Sequence, residues 1–452
     1  MEFKGKTVLV IGTKISGIAA ANLLLDKKAD VILFDANINV DRKELETSID
    51  GKVTIALGEL KGEEKSAVDL VILSPGVPAE LPMVCEFRER NIPIWGEIEL
   101  AYQCGKGKVV AITGTNGKTT TTSLVGEIMK SYYKSVFVVG NIGIPYTGVV
   151  QETKQDSVIV AEISSFQLET IHEFRPQISA ILNITPDHLD RHHTMENYID
   201  AKLSVAKNQS SMQYCILNYE DEVLRERSND IAANVWFFSS EQKLEVGIYL
   251  NDAKDIIYAD GIEEVLICNV KELKLLGRHN YENVMAGVLI AIKMGVPYRT
   301  IRETLLKFRA VEHRIEYVTS KKGIAFYNDS KGTNPDAAIK GIQAMETPTL
   351  LIGGGYDKMA DYTEWIKAFN GKVRYLVLIG QTRDKIAEAA KKCGFHNIIL
   401  AESLEEAIQI CYEKAMEGDS VLLSPACASW GMFKNYEERG RMFKEYVNQL
   451  AE

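Results

Sequence analysis

The sequence contains no CxxC pair and no apolar run long enough to cross a bilayer. Its seven cysteines are scattered and odd in number, which argues against a disulfide framework or a zinc site and favours reduced thiols. The first residues, MEFKGK, lead into a short apolar run and lack the pattern of a signal peptide. These absences predict a cytoplasmic protein that does not insert into membranes.

An excess of positive charge is also missing. The chain carries 52 Lys and Arg residues against 62 Asp and Glu residues, a net charge of −10. Nucleic acids are bound mainly through clustered lysine and arginine, so this balance argues against nucleic acid as a general partner. At 452 residues the chain is too long for one hydrophobic core, and we expect two to four domains.

The most informative segment is KVVAITGTNGKTTTT at residues 108–122, an apolar run that breaks into a glycine-rich loop. Gly114 and Gly117 allow the backbone N–H groups to converge on phosphate oxygens, and a helix beginning near Lys118 adds its positive end. Lys118 would bridge the β- and γ-phosphates, and the Thr119 hydroxyl would bind Mg²⁺. The loop is shorter than the GxxxxGKT consensus. A plain surface turn, however, rarely has Gly-Lys-Thr between an apolar strand and a helix.

The pattern of residues 7–35 predicts a strand, a turn at Ser16 and Gly17, a helix and a second strand that ends at Asp35. This order resembles a dinucleotide fold, in which an acidic residue at that point binds a ribose hydroxyl. The fingerprint is incomplete, because Lys14 stands where its middle glycine should be. A later strand brings Gly76 to the carboxyl edge of the sheet. The alternative is that this Rossmann-like layer only packs against the rest of the protein and binds no nucleotide.

Two apolar runs of the central region also lead into polar residues. Glu162 comes just after residues 158–160, where a carboxylate that holds Mg²⁺ would lie. Asp187 and His188 follow the next run in the same way. The alternative for each of these residues is an ordinary surface side chain whose hydrogen bonds are satisfied and which binds no metal.

Lys202 lies on the apolar face of a predicted helix, since the positions three and four residues away are mostly apolar. A lysine there is normally a side chain that extends its charge to water. The alternative is chemical, because desolvation lowers the pKa of an amine and a neutral amine can add CO₂. The resulting carbamate could bind a second Mg²⁺ together with His188.

From about residue 312 onward, apolar runs alternate with helical patterns, which predicts a largely parallel sheet covered on both faces. The loops NDSKGTN, GGGYDK and SPACAS would leave the carboxyl ends of strands. The whole chain is therefore predicted to be an α/β protein.

Six motifs, in order along the chain, resemble those of the Mur ligases: GTNGKTT, AEISSFQLE, NITPDHLDRH, GRHNYENVMA, HRIE and NDSKGTN. These enzymes form amide bonds at the expense of ATP during synthesis of peptidoglycan precursors. The segments SPGVP, GGGYDKMADY and SPACASWGMFKNYEERG are most similar to members that add D-glutamate to UDP-N-acetylmuramoyl-L-alanine.

The resemblance implies three α/β domains in a monomer. A Rossmann-like domain at residues 1–97 would bind the UDP-sugar. A central P-loop-type ATPase domain at residues 98–311 would bind ATP, and a Rossmann-like C-terminal domain at residues 312–452 would bind the amino acid.

The resemblance also implies a mechanism. A substrate carboxylate attacks the γ-phosphate of ATP, and the amine of D-glutamate then attacks the acyl phosphate and expels phosphate. Two Mg²⁺ ions would be held by four residues, with Lys202 carbamylated: Thr119, Glu162, His188 and Lys202.

Roles carried over from the family cover four groups of residues. Catalysis would use Lys118, His188, Lys202 and Lys331. ATP would be bound by Gly114, Thr115, Asn116, Gly117, Lys118, Thr119, Thr120, Asn280, Asn283, Arg314 and Asp329. The UDP-substrate would contact Ser16, Asp35, Gly76, Asn141 and Gln167. D-Glutamate would contact Thr333, Lys358, Ser429 and Tyr436. Tyr436 stands where phenylalanine is expected, and Trp430 where a smaller apolar residue is common.

Other functions remain open at this point. Another ligase of the family could add L-alanine, a diamino acid or a dipeptide, although the DNPR-like sequence of the diamino-acid enzymes is missing. An NAD-dependent oxidoreductase is suggested only by residues 7–35. A nucleotide-gated binding protein without amide chemistry is the third alternative.

Overall fold

The computed structural model describes residues 2–309 and 312–451. Among these residues the strands form three sheets with helices packed on them, which confirms the predicted α/β class. The described chain divides into two compact units. The first contains residues 2–272 and Glu282–Leu306, and the second contains Leu273–Tyr281 with residues 307–309 and 312–451. The predicted domain boundary at Val311 lies outside the described residues.

The first sheet is parallel throughout, with the order β3-β2-β1-β4-β5. Its strands are β1 Thr7–Ile11, β2 Asp30–Asp35, β3 Thr54–Leu57, β4 Leu70–Leu73 and β5 Ile94–Gly96. Its helices are α1 Ile15–Asp26, α2 Arg42–Ser48, α3 Gly62–Ala67, α4 Pro82–Glu89 and α5 Glu97–Cys104. All four residues of β4 are buried, as expected of a parallel strand covered on both faces.

One local prediction in this sheet is wrong. Ser16 and Gly17 do not form a turn before the helix but belong to the first turn of α1, which begins at Ile15. A Cβ atom at Gly17 would lie 1.8 Å from the carbonyl oxygen of Gly12. Gly17 therefore allows the helix to start directly against the end of β1, which is why no separate turn is needed.

The second sheet has the order β14-β13-β12-β11-β10-β9-β6-β8-β7. Its strands are β6 Lys108–Thr113, β7 Val136–Gly140, β8 Val158–Glu162, β9 Ile178–Ile181, β10 Tyr214–Asn218, β11 Asn234–Ser239, β12 Val246–Leu250, β13 Asp255–Asp260 and β14 Glu264–Asn269. Its helices are α6 Lys118–Lys130, α7 Ser165–Leu168, α8 Leu189–His192, α9 Met195–Leu203, α10 Glu222–Arg227, α11 Arg278–Lys293 and α12 Tyr298–Leu305. The pairs from β6 to β12 are parallel, whereas β12, β13 and β14 pair antiparallel.

The third sheet has the order β15-β16-β20-β17-β18-β19 and is parallel except for the edge pair β15-β16. Its strands are β15 Glu316–Lys321, β16 Ile324–Asn328, β17 Thr349–Gly354, β18 Val373–Ile379, β19 Ile398–Leu400 and β20 Ser420–Leu423. Its helices are α13 Pro335–Gln343, α14 Thr363–Lys367, α15 Arg383–Lys392, α16 Leu404–Lys414 and α17 Tyr436–Gln449.

Strand β17 shows why this sheet is covered on both faces. Leu350 and Ile352 belong to one apolar cluster, whereas Leu351 belongs to another. Successive side chains of a strand point to opposite faces, so each face has its own core. In the described part of the chain, no helix combines the length and apolar character needed to span a membrane.

Candidate active site

The loop between β6 and α6 has the backbone shape expected of a phosphate-binding loop. Gly114 has a φ of +145° and Gly117 a φ of +87°, which residues with a Cβ rarely adopt. A Cβ atom at Gly117 would lie 2.2 Å from Oδ1 of Asn283. The loop therefore packs closely against α11 at a position that only glycine fits. Thr119 and Thr120 follow as buried residues in the first turn of α6.

The segment after β9 clamps this loop. The backbone N–H of Thr115 donates to the Asn183 carbonyl oxygen at 2.9 Å, and the N–H of Asn116 donates to Oδ1 of Asn183 at 2.8 Å. The side-chain amide of Asn183 donates back to the Asn116 carbonyl oxygen at 3.1 Å. The backbone N–H of Thr185 donates to Oγ1 of Thr115 at 3.0 Å. Two of the loop N–H groups are thus occupied in fixing its shape.

Two predicted lysines meet at one carbonyl group. Nζ of Lys118 and Nζ of Lys202 donate to the Gly114 carbonyl oxygen at 2.9 and 2.8 Å. Lys202 is only 2% exposed and lies over the Tyr198 ring. Burial, and then the positive charge of Lys118, hold the pKa of Lys202 well below its ordinary value. These surroundings make Lys202 lose its proton more readily than an exposed lysine does.

Glu162 is the last residue of β8 and lies opposite Ile112 in the register of β6. Its Oε1 accepts a hydrogen bond from the side-chain amide of Asn141 at 2.9 Å. Its Oε2 is buried and has no hydrogen-bond partner within residues 2–309 and 312–451. A buried carboxylate oxygen without a donor suits a divalent cation, so the residues present fit the Mg²⁺ that the sequence predicts.

Asp187 and His188 do not directly follow a strand, in contrast to the prediction. Strand β9 ends at Ile181, and the intervening residues form the clamp on the phosphate loop. His188 has a φ of +53° and precedes α8. Its ring packs edge-on against Phe166, with 4.8 Å between the ring centroids.

The predicted UDP-substrate residues of the first sheet lie near its carboxyl edge. Oδ2 of Asp35 accepts hydrogen bonds from the backbone N–H and the hydroxyl of Thr13. Partial burial raises the pKa of Asp35, but the hydrogen bonds from Thr13 and Asn37 and the charge of Lys14 outweigh it and lower the pKa. Gly76 lies in the loop after β4.

Gln167 is buried in α7. Its Oε1 accepts hydrogen bonds from the backbone N–H and the hydroxyl of Ser164, which caps that helix. The predicted muramoyl contact therefore also holds the start of α7 in place.

In the second unit, Asp329 follows β16 and accepts a hydrogen bond from the Ser424 hydroxyl at 2.7 Å. Burial raises the pKa of Asp329 to about 7, although the Ser424 hydrogen bond and the charge of Arg314 oppose the shift. Nζ of Lys331 lies 5.0 Å from the centroid of the Tyr436 ring. The loop NDSKGTN and the start of α17 are therefore neighbours. Asn280 is also in this unit, and its side-chain amide donates to the Leu276 carbonyl oxygen.

The predicted D-glutamate residues Lys358 and Ser429 lie on adjoining loops. The backbone N–H of Tyr356 donates to the Ala428 carbonyl oxygen at 2.9 Å, which joins the two loops. Nζ of Lys358 lies 5.0 Å from the centroid of the Trp430 ring. Ser429 is buried and Trp430 is exposed. Thr333 belongs to the neighbouring loop, where its N–H donates to the Lys331 carbonyl oxygen.

Three family models match successive parts of the chain. They are described as Mur ligase MurD-like, N-terminal domain, at residues 6–96, Mur ligase middle domain, at residues 112–291, and Mur ligase, glutamate ligase domain, at residues 313–427. The chain belongs to the Mur ligase family. By this membership it is an ATP-dependent, amide-forming ligase.

Curated relatives match the Mur ligase over its whole length. A protein of Lachnoclostridium phytofermentans named UDP-N-acetylmuramoylalanine--D-glutamate ligase is 61% identical over 100% of both chains. A protein of the same name from Lachnospira eligens is 55% identical, also over 100% of both chains.

Solved structures share the fold at lower identity. UDP-N-acetylmuramate-alanine ligase MurC from Thermotoga maritima has a TM-score of 0.59 at 20% identity, covering 98% of this chain and 99% of that one. MurF ligase from Thermotoga maritima, solved with ADP, has a TM-score of 0.60 at 18% identity, covering 100% and 97%.

Two arginines of this Mur ligase were missed by the sequence analysis. Arg439 is fully buried and donates to the Ser330 hydroxyl and to the carbonyl oxygens of Ser330 and Cys427. Arg191 joins the loop after β4 to α7 and the residue that follows it. Each was present in a quoted motif, but its partners are distant in sequence, so the contacts are visible only in the folded structure.

Proposed function

We propose that this chain joins D-glutamate to UDP-N-acetylmuramoyl-L-alanine with ATP, giving ADP and phosphate, in peptidoglycan precursor synthesis. The observation that carries the proposal is the 61% identity, over 100% of both chains, to a protein named for that reaction. The neighbouring loops that carry Lys358 and Ser429 support it, because a cation beside a hydroxyl suits a carboxylate.

The reaction has two steps. A carboxylate oxygen of the muramoyl-L-alanine substrate attacks the γ-phosphorus of ATP, the bond from that phosphorus to the bridging oxygen breaks, and ADP leaves. The amine of D-glutamate attacks the acyl carbon, loses a proton and expels phosphate. The first step is needed because a carboxylate is a poor acyl donor in water. Catalysis of phosphoryl transfer depends mostly on positioning and charge neutralisation.

The phosphate loop supplies the positioning in this proposal. The N-terminus of α6 and Nζ of Lys118 would hold the phosphates, and Asn283 would contact the nucleotide from α11. The close approach of Gly117 to Asn283 supports this arrangement, because it joins the loop to that helix. In the second unit Asn280, Arg314 and Asp329 would bind the rest of ATP, and Lys331 would contact the transferred phosphate or the amine.

Two Mg²⁺ ions would be held by Thr119, Glu162, His188 and Lys202. The buried, unsatisfied Oε2 of Glu162 supports this assignment. Bound Mg²⁺ neutralises the negative charge of the phosphates and the attacking carboxylate.

We further propose that Lys202 is carbamylated. A neutral amine adds CO₂ by forming a nitrogen–carbon bond and losing one proton, which leaves an anionic group. The burial of Lys202 and its lowered pKa support the neutral form that this addition requires. An anion at this position would also attract the positive charge of Lys118.

The UDP-substrate would be bound by Ser16, Asp35, Gly76, Asn141 and Gln167, and D-glutamate by Thr333, Lys358, Ser429 and Tyr436. We place the reaction in the cytoplasm and expect a monomer. Each of the seven cysteines is free in the structure, which supports a reducing compartment.

The test is a panel of acceptors incubated with ATP, Mg²⁺ and UDP-N-acetylmuramoyl-L-alanine, with phosphate release and product mass as readouts. We expect release and a mass gain of one glutamyl residue with D-glutamate, and neither with L-alanine, diamino acids or dipeptides. The variant Lys118→Met controls for contaminating ATPase. Product formation with L-alanine, a diamino acid or a dipeptide, and none with D-glutamate, would contradict the proposal.

A further inference from the structure

Arg191 makes an unusually complete set of contacts for a side chain outside the assigned residues. Its guanidinium donates to the Pro75 carbonyl oxygen at 3.0 Å and to the Val77 carbonyl oxygen at 3.2 Å. It also donates to both carboxylate oxygens of Glu169, at 3.2 and 2.6 Å. The Arg191 and Glu169 side chains are 15% and 19% exposed, so this pair is largely shielded from water.

The two carbonyl groups belong to the residues on either side of Gly76, the proposed contact to the UDP-linked substrate. One rigid, planar group therefore fixes the backbone on both sides of that residue. A second, exposed contact acts on the same loop, since Nε2 of His193 lies 3.1 Å from Oε2 of Glu80. The loop after β4 is thus held by two residues of one short segment.

Arg191 also contacts helix α7, which packs on the second sheet. Its guanidinium carbon lies 4.2 Å from the centroid of the Phe166 ring, which also packs against the His188 ring. Phe166 immediately precedes Gln167, the proposed muramoyl contact. Arg191 therefore contacts, directly or through one ring, the neighbourhoods of Gly76, Gln167 and His188.

We propose that Arg191 is a positioning residue, which sets the substrate loop at residues 74–77 relative to His188 and Gln167. The proposal rests on the proposed function for the identity of the substrate. Arg191 acts through Gly76 and Phe166 and does not itself touch the reacting atoms. Lysine cannot replace it, because one ammonium group cannot bind two carbonyl oxygens and both oxygens of a carboxylate in one plane.

The test compares Arg191→Met, Arg191→Lys and the wild-type full chain in steady-state kinetics. We expect the KM for UDP-N-acetylmuramoyl-L-alanine to rise about tenfold or more in both variants. The KM values for ATP and D-glutamate should stay within about twofold, since the phosphate loop is clamped by Asn183 instead. The control is Arg302→Met, because Arg302 also donates to a carbonyl oxygen, of Ile267, and to a carboxylate, of Glu272.

Hydrogen exchange of the amides at residues 74–80 gives a readout that does not need turnover. We expect faster exchange there in Arg191→Met but not in Arg302→Met. Exchange and substrate KM both unchanged would overturn the proposal, as would an equal rise in all three KM values. If the wild type fails to ligate D-glutamate, the proposed function is wrong. The hydrogen-exchange experiment still shows whether Arg191 restrains the loop at residues 74–77.

Discussion

Replacing Gly117 with alanine should damage ATP use far more than it damages the fold. At a φ of +87° a residue with a Cβ is strained by about 1–2 kcal/mol. The new Cβ would also lie 2.2 Å from Oδ1 of Asn283, whereas real Cβ atoms keep at least 3.0 Å from such neighbours. Asn283 must therefore retreat by about 1 Å, a displacement that can cost about 100-fold in rate at an active site.

Gly295 provides a matched control. Its φ of +84° is nearly the same, but a Cβ there would meet no atom of the described residues within 4 Å. Gly295→Ala should thus carry the backbone strain alone. We expect both variants to lose a few degrees of Tm, about 2–4 °C for each kcal/mol in a domain of this size. Only Gly117→Ala should lose about 100-fold in kcat/KM for ATP.

The assay is coupled ADP release at varied ATP, with calorimetric Tm values on the same preparations. Full kcat/KM for ATP in Gly117→Ala, despite a lowered Tm, would refute the assignment of Asn283 to the nucleotide site. Equal losses of kcat/KM in both variants would show that strain, and not the contact with Asn283, governs the effect.

Three further predictions concern buried charges. Glu162→Gln keeps a partner for Asn141 but removes the anionic oxygen, so the Mg²⁺ concentration for half-maximal rate should rise at least about tenfold; an unchanged Mg²⁺ dependence would contradict the metal assignment. Lys202→Ala should lower turnover severely, and added formate or acetate should restore part of it by supplying a carboxylate; full activity without additive would exclude the carbamate. The pKa of Asp329 is raised from 3.8 to about 7 by burial, so the native state holds a proton that the unfolded state loses between these values. Stability from this group therefore falls as the pH rises from about 4 to 7. In urea unfolding, the stability of Asp329→Asn relative to the wild type should increase by at most about 3 kcal/mol between pH 5 and pH 8. A gap that does not change with pH would contradict this reasoning.

Local sequence signals were sufficient wherever the chemistry lies within one strand, loop and helix. The positive φ values of Gly114 and Gly117 and the start of α6 at Lys118 agree with the segment's pattern. Lys202 is buried on the apolar face of α9, as the helical spacing predicted. In both cases the predicted feature, a loop conformation or a helix face, depends on residues close in sequence, so loop composition and periodicity carry the information.

The signals failed where distant residues decide the structure. Nothing in the sequence analysis predicted β3 or the antiparallel strands β12, β13 and β14, whose apolar and polar residues alternate irregularly. The place of His188 was misjudged because the residues after Ile181 bond to the phosphate loop instead of ending at the sheet edge. Arg191 was overlooked since two of its partners are backbone carbonyl groups, which have no sequence signature, and its carboxylate partner Glu169 is 22 residues away.

The reciprocal pairing of Asn183 with Asn116 has a consequence for how nucleotide is captured. These hydrogen bonds hold the phosphate loop in its curved conformation before ATP binds, so binding does not have to order a flexible segment. The entropy that a disordered loop would lose on encountering ATP is lost during folding instead. The phosphate loop is therefore preorganised for ATP, and binding there does not depend on induced fit.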